Sequence, residues 1–238
     1  MHKLRIEIKK INALVFFLRG CSKNENTSIN FKPVNKLFKR AGHIRNSYVY
    51  AKLLDRYHLA DSGLKTERRK IIVNRSRTFC SKYRKDIIGV KNTRTLLIRR
   101  IHGIANKEIL RVYKNQLKKL HSLLTHEHSS RQLHKCRSKI KKLVYMYQVI
   151  HKPLANKLRL NIHYLDQLQN TIGKWHDTIT AVELLRRQKN FDKTVVDKLR
   201  KRSQELSDLI DSASNNFGKK LLPVRLQNNP SHRIAHLI

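Results

Sequence analysis

One motif, H-K-x-R-x-x-I-K-K, stands at residues 2–10 (HKLRIEIKK) and again at residues 134–142 (HKCRSKIKK). On a helix of 3.6 residues per turn, positions 0, +3 and +7 fall within about 60° of one another. His2, Arg5 and Lys9 therefore form one basic stripe, with Lys10 at its flank, and His134, Arg137 and Lys141 form its copy, flanked by Lys142. Such stripes supply N–H donors and positive charge, which is the chemistry of oxyanion binding. A solvated face is the ordinary explanation of a charged helical stripe, but ordinary stripes intersperse Glu with Lys at i, i+4. Here Glu7 is the only carboxylate in the first copy, and the second has none. A histidine heading each copy three residues before an arginine reads as a donor to phosphate oxygens.

Catalysis and metal binding find little support. Phosphoanhydride chemistry generally needs carboxylates to hold divalent metal. Ile6-Glu7-Ile8-Lys9 is at most a fragment of an E-x-E-x-K metal-binding pattern. Cys21, Cys80 and Cys136 lie far apart with no C-x-x-C and read as reduced intracellular thiols. The sequence thus leads us to expect no catalytic residues, no metal and no cofactor.

A second matched block follows each motif. Residues 37–54 read LFKRAGHIRNSYVYAKLL and residues 168–185 read LQNTIGKWHDTITAVELL, so that Leu37, Gly42, Leu53 and Leu54 fall on Leu168, Gly173, Leu184 and Leu185. Around the first block stand Lys32, Lys36, Lys39, Arg40, His43 and Arg45, several of them on one helical face; the second block adds Lys174 and His176. Gly42 and Gly173 each stand alone, so they mark close helix approach and not a phosphate-binding loop. Two blocks in the same order at nearly one offset make the chain two copies of a helical unit, 1–128 and 129–218, followed by an irregular tail at 219–238.

The elements that position these residues are helices. Leu4, Ile8, Ile11, Leu14, Val15 and Leu18 make an i, i+4, i+7 stripe over 2–19. That periodicity also argues against a lipoprotein leader, as does the short apolar run Ala13–Leu18 ending on Arg19. After a polar loop at 20–30, helices are expected from Pro33 to about His58, at 65–88 and at 93–126. Further helices are expected at 130–151, 154–188 and 192–217, the last stopped by Gly218. No apolar run approaches the ~18 residues a membrane span needs. Eight of the sixteen acids fall between Asp166 and Asp211, so the last helix is expected to be a solvated outer wall.

The charge decides the class of partner. With 53 Lys+Arg against 16 Asp+Glu, the formal charge is +37 in 238 residues. A body so charged repels itself unless a polyanion neutralises it, and solubility alone needs no such excess.

The two motifs, each followed by a helix with a glycine and then R-N or H-D, resemble the CHAD domain (conserved histidine α-helical domain). The resemblance covers essentially the whole chain and is most specific at 133–187. It implies an all-α fold of two four-helix bundles related by a pseudo-two-fold axis, with a basic central groove that binds inorganic polyphosphate. The family often has a further basic residue ten positions after each histidine, where this chain has Asn12 and Val144. Asn46 replaces a common Asp that Asp177 keeps. The chain opens on the first motif, so no catalytic domain is expected ahead of it.

Non-catalytic binding of inorganic polyphosphate in cytoplasm or polyphosphate granules is the reading these residues favour. Nucleic-acid binding is the alternative. It fits the charge, but base stacking wants exposed aromatics, and Tyr48, Tyr50, Tyr145, Tyr147 and Trp175 sit mostly at core spacing.

Overall fold

The computed structural model describes residues 1–21, 31–56, 62–101, 104–125, 129–150, 152–186 and 193–222. Among these residues the structure is all-α, with nine helices and no strand. The helices are α1 (His2–Cys21), α2 (Lys32–Arg56), α3 (Ser62–Ile101), α4 (Asn106–Leu124), α5 (Ser130–Tyr147), α6 (Lys152–Leu158), α7 (Ile162–Arg186), α8 (Lys193–Ser214) and α9 (Phe217–Lys220). None is long and apolar enough to cross a membrane. The tail expected to be irregular over 219–238 is helical at 219–220, where it ends α9, and lies outside the described residues from 223 onward; the expected polar loop lies outside them from 22 to 30.

The chain divides into two compact units, Met1–Ile104 and Ala105–Ile238. The sequence repeat put its seam at 128/129, but by packing α4 belongs to the second unit, where it lies against α5, α6 and α9. Val112, Tyr113, Leu117, Leu120 and Leu124 give α4 a buried stripe at i, i+4/5, i+8 and i+12. The Tyr113 hydroxyl donates to the Leu143 carbonyl at 3.1 Å, tying α4 to α5.

The first unit is three helices around Ile8, Val15, Val34, Leu37, Ala41, Ile44, Phe79 and Leu97. Its third helix corrects the expected break between 88 and 93. Gly89 does not end a helix. A Cβ there would stand 2.7 Å from Pro33 Cβ, so glycine lets α3 pass close to the start of α2. Thr93 is buried and returns its hydroxyl to the Gly89 carbonyl at 2.9 Å, which carries a polar residue through the core without breaking the helix. The forty residues of α3 thus run some 60 Å unbroken.

The second unit corrects two other boundaries. The single helix expected over 154–188 is split into α6 and α7 at Arg159–Asn161, where Arg159 takes a φ of 44°. Asn161 caps α7: its Oδ1 accepts from the Tyr164 amide at 3.0 Å, while its own amide donates to the Leu221 carbonyl at 2.8 Å. The stop expected at Gly218 falls instead at Asn216, which adopts φ 56°. Asn is one of the few residues with a side chain that visit this left-handed region readily. The start of α5 carries a capping box, with Ser129 Oγ accepting from the Gln132 amide and Gln132 Oε1 from the Ser129 amide. Behind it Leu133, Cys136, Ile140 and Leu143 are wholly buried. Burying each of the three aliphatic side chains is worth about 1.5–3 kcal/mol. Burial also pushes the Cys136 thiol up to about 11, so it is an inert core residue.

Candidate functional site

The two blocks of the sequence repeat make the same contact, once in each unit. In the first, Arg5 of α1 donates through Nη1 to the Phe38 carbonyl of α2 at 2.9 Å. In the second, Arg137 of α5 donates through Nε to the Gln169 carbonyl of α7 at 3.3 Å. Each accepting carbonyl lies four residues before a glycine, Gly42 or Gly173.

The glycines explain the geometry. Helical Cα–Cβ bonds tilt toward the N-terminus, so a side chain at position i covers the turn containing the carbonyl of i−4. Glycine uncovers that carbonyl, and a guanidinium crosses the gap. A Cβ at Gly42 would stand 2.5 Å from Arg5 Nη1, and one at Gly173 would stand 2.8 Å from Arg137 Nη2. Close approach was expected at both glycines; what approaches is an arginine from the motif helix. Each arginine spends one N–H on the carbonyl and retains others for an anion.

Each pinned arginine has basic company. In the first unit the Arg5 guanidinium lies 4.0 Å over the Phe38 ring, and its Nε is buried without a hydrogen-bond partner. Its pKa is lowered by burial first and then by the charge of Arg45. In the second unit Arg45 is matched by His176, three residues after Gly173. The His176 ring lies 5.7 Å from that of His134. The arrangement is thus Arg5 with Arg45 and Gly42 in one unit, and His134, Arg137, His176 and Gly173 in the other. Of these, His176 was expected with Lys174 among the basic residues of the second block, where it aligns with Arg45.

The remaining residues of the sequence-based set are spread more widely. His2 is exposed at the start of α1, Lys9 is half-buried, and Lys10 bridges to Glu7 at 2.9 Å. Lys36, Lys39 and His43 are exposed on α2. They lie on a different side of that helix from Phe38, Gly42 and Arg45. Arg40 is drawn to α3, where it pairs with the buried carboxylate of Asp86. The His43 carbonyl accepts from Arg75 Nη1 at 3.1 Å. In the second unit Lys141 and Lys142 are half-buried and Lys174 is exposed beside the glycine. The structure therefore gathers Arg5 with Arg45 and His134 with Arg137, and it does not gather Arg40 with them. Among the described residues no three His, Cys, Asp or Glu side chains converge as metal ligands would.

An all-helical chain with a motif helix pinned by arginine to a glycine-bearing partner helix defines a basic, duplicated helical class. The chain belongs to the CHAD domain family, whose model matches residues 1–186. No curated protein and no solved structure gave a match.

Proposed function

We propose that the chain binds inorganic polyphosphate without catalysing a reaction on it, through the basic cluster of each unit. The observation that carries this reading is the duplicated pin: in each unit a motif arginine is held beside another basic side chain by a backbone carbonyl, not by a carboxylate. An arginine fixed by a neutral acceptor keeps its full charge for a ligand. His2, Lys9 and Lys10 extend the first cluster and Lys141, Lys142 and Lys174 the second. A flexible polyanion with closely spaced charges follows such residues without needing base-stacking platforms. Membership of the CHAD family supports the same ligand. Trp175 is buried and Tyr50 is covered by Arg68, but Tyr48, expected at core spacing, is 63% exposed, so the aromatics do not by themselves decide against nucleic acid.

A competition titration separates polyphosphate from nucleic acid. Long-chain polyphosphate is expected to displace a labelled DNA duplex at about 150 mM salt, and excess duplex is expected not to displace labelled polyphosphate. The reverse order of preference would make the chain a nucleic-acid binder.

Gly173→Ala tests the pin itself. The new methyl group evicts the end of the Arg137 side chain. Alanine gains about 0.5–1 kcal/mol of helix propensity, and the lost hydrogen bond costs a similar amount. Melting temperature is therefore expected to move little while polyphosphate affinity falls several-fold. Equal affinity in the variant would show that the position of Arg137 is immaterial to the ligand.

A further inference from the structure

The motif helix of the second unit carries a second basic flank. His134 and Arg137 face α7, but Lys135, Lys139 and Lys142 recur at i, i+4 and i+7 roughly 120° away around the helix. This flank turns toward α4. Lys139 Nζ donates to Gln116 Oε1 of α4 at 3.2 Å. Lys119, one turn further along α4, lies near enough to act on Lys139 directly. Burial first, and then the charges of Lys119 and Lys142, lower the Lys139 pKa; burial also lowers that of Lys142. The ammonium group of Lys139 is thus held between two helices by a neutral amide, among like charges.

The first copy shows that the fold does not require this. The positions matching Lys135, Lys139 and Lys142 are Lys3, Glu7 and Lys10. There the middle residue is an acid, and Glu7 bridges to Lys10 at 2.9 Å. The second copy replaces that stabilising i, i+3 pair with two lysines and sets Lys119 near Lys139. Like charges at this spacing cost a helix stability, and half-burying an ammonium adds to the cost. A bound oxyanion reverses both penalties.

We propose that Lys119, Lys139 and Lys142, with the Gln116 amide, form a separate oxyanion site on the α4–α5 flank of the second unit, suited to the phosphoryl oxygens of a phosphate-class ligand. It shares Lys142 with the edge of the cluster on α7 but not Arg137, His134 or His176, and Lys139, which the test below changes, belongs to this site alone. In the unliganded protein Lys139 uses one N–H on Gln116 and keeps two for the anion.

The test is calorimetric titration of the full chain with inorganic tripolyphosphate, with orthophosphate and sulfate as parallel arms. Lys139→Glu, which installs the first copy's residue, is expected to weaken tripolyphosphate binding at this site by about tenfold or more, the usual effect of losing a charge-assisted hydrogen bond. Lys139→Arg is expected to retain it. Orthophosphate binding more tightly than sulfate supports phosphoryl recognition; equal binding reduces the site to charge alone and overturns the assignment. Identical isotherms for the native chain and Lys139→Glu also overturn it. A second readout does not depend on any charge-reversed variant folding. The Lys139 side-chain ammonium NMR signal, assigned by its loss in Lys139→Arg, is expected to shift on adding tripolyphosphate, and a static signal sinks the proposal. His134→Gln combined with Lys141→Ala keeps the two readings apart. If that variant binds long-chain polyphosphate normally while Lys139→Glu loses tripolyphosphate, the α7-side cluster fails and the α4–α5 site stands; the opposite pattern does the reverse.

Discussion

Raising salt from about 50 to about 200 mM is expected to weaken the polyphosphate complex roughly 300-fold, if some six phosphates are neutralised at about −0.7 log unit each, the value for a flexible single-stranded polyanion. The chain carries +37, so the favourable term is the release of counterions condensed on the ligand, which added salt opposes. The slope counts contacts, and variants therefore divide it between the units. Arg5→Ala with Lys9→Ala, and Arg137→Ala with Lys141→Ala, should each flatten the plot of log affinity against log salt by about 1.4, because each removes two cations. The two pairs should weaken binding comparably, since each removes a pinned arginine and the half-buried lysine one turn beyond it. If either pair leaves both affinity and slope unchanged, only one unit meets the ligand.

The device that the two units share was half legible in the sequence. The motif spacing placed His134, Arg137 and Lys141 on one face, and alignment of the second blocks brought Gly42 onto Gly173. Nothing in either pattern says that the neighbour of a helical glycine is an arginine from another helix. That follows only when the uncovered carbonyl and the guanidinium are seen together. The helical class and the motif helices were readable because apolar residues recur with the helical period, as Leu133, Cys136, Ile140 and Leu143 do in α5. Boundaries failed where a polar residue acts through tertiary contact. Thr93 looked like the start of a helix and lies inside one. Asn161 looked like helix interior, yet it caps α7 by accepting from the Tyr164 amide and is held there by its own bonds to the Lys220 and Leu221 carbonyls. Arg40 read as one more cation on α2 because Asp86, its partner, lies 46 residues away in sequence.

That last pair leads to the largest expected effect on stability. Asp86 is 7% exposed, and its carboxylate meets Arg40 across the α2–α3 contact. Glu67 and Asp86 are the two acids of α3, which otherwise carries many Lys and Arg. Removing the carboxylate strands a partly buried guanidinium in a strongly positive field. Asp86→Ala is therefore expected to cost about 3 kcal/mol, the low end for breaking a buried pair, because the Arg40 side chain is 28% exposed and water reaches it. Asp86→Asn keeps the shape and an acceptor oxygen and should lose less. Arg40→Met with Asp86→Leu removes both desolvation penalties and is expected to restore most of the stability. A double-mutant cycle on thermal unfolding measures this directly; additive single losses would mean that the pair is not coupled. The same variants decide what Arg40 does. If Asp86 holds Arg40 as a strut, Arg40→Met leaves the polyphosphate salt slope unchanged. If Arg40 also reaches the anion, that slope flattens by the share of one contact, and Asp86→Asn, by freeing the guanidinium, tightens binding while it destabilises the fold.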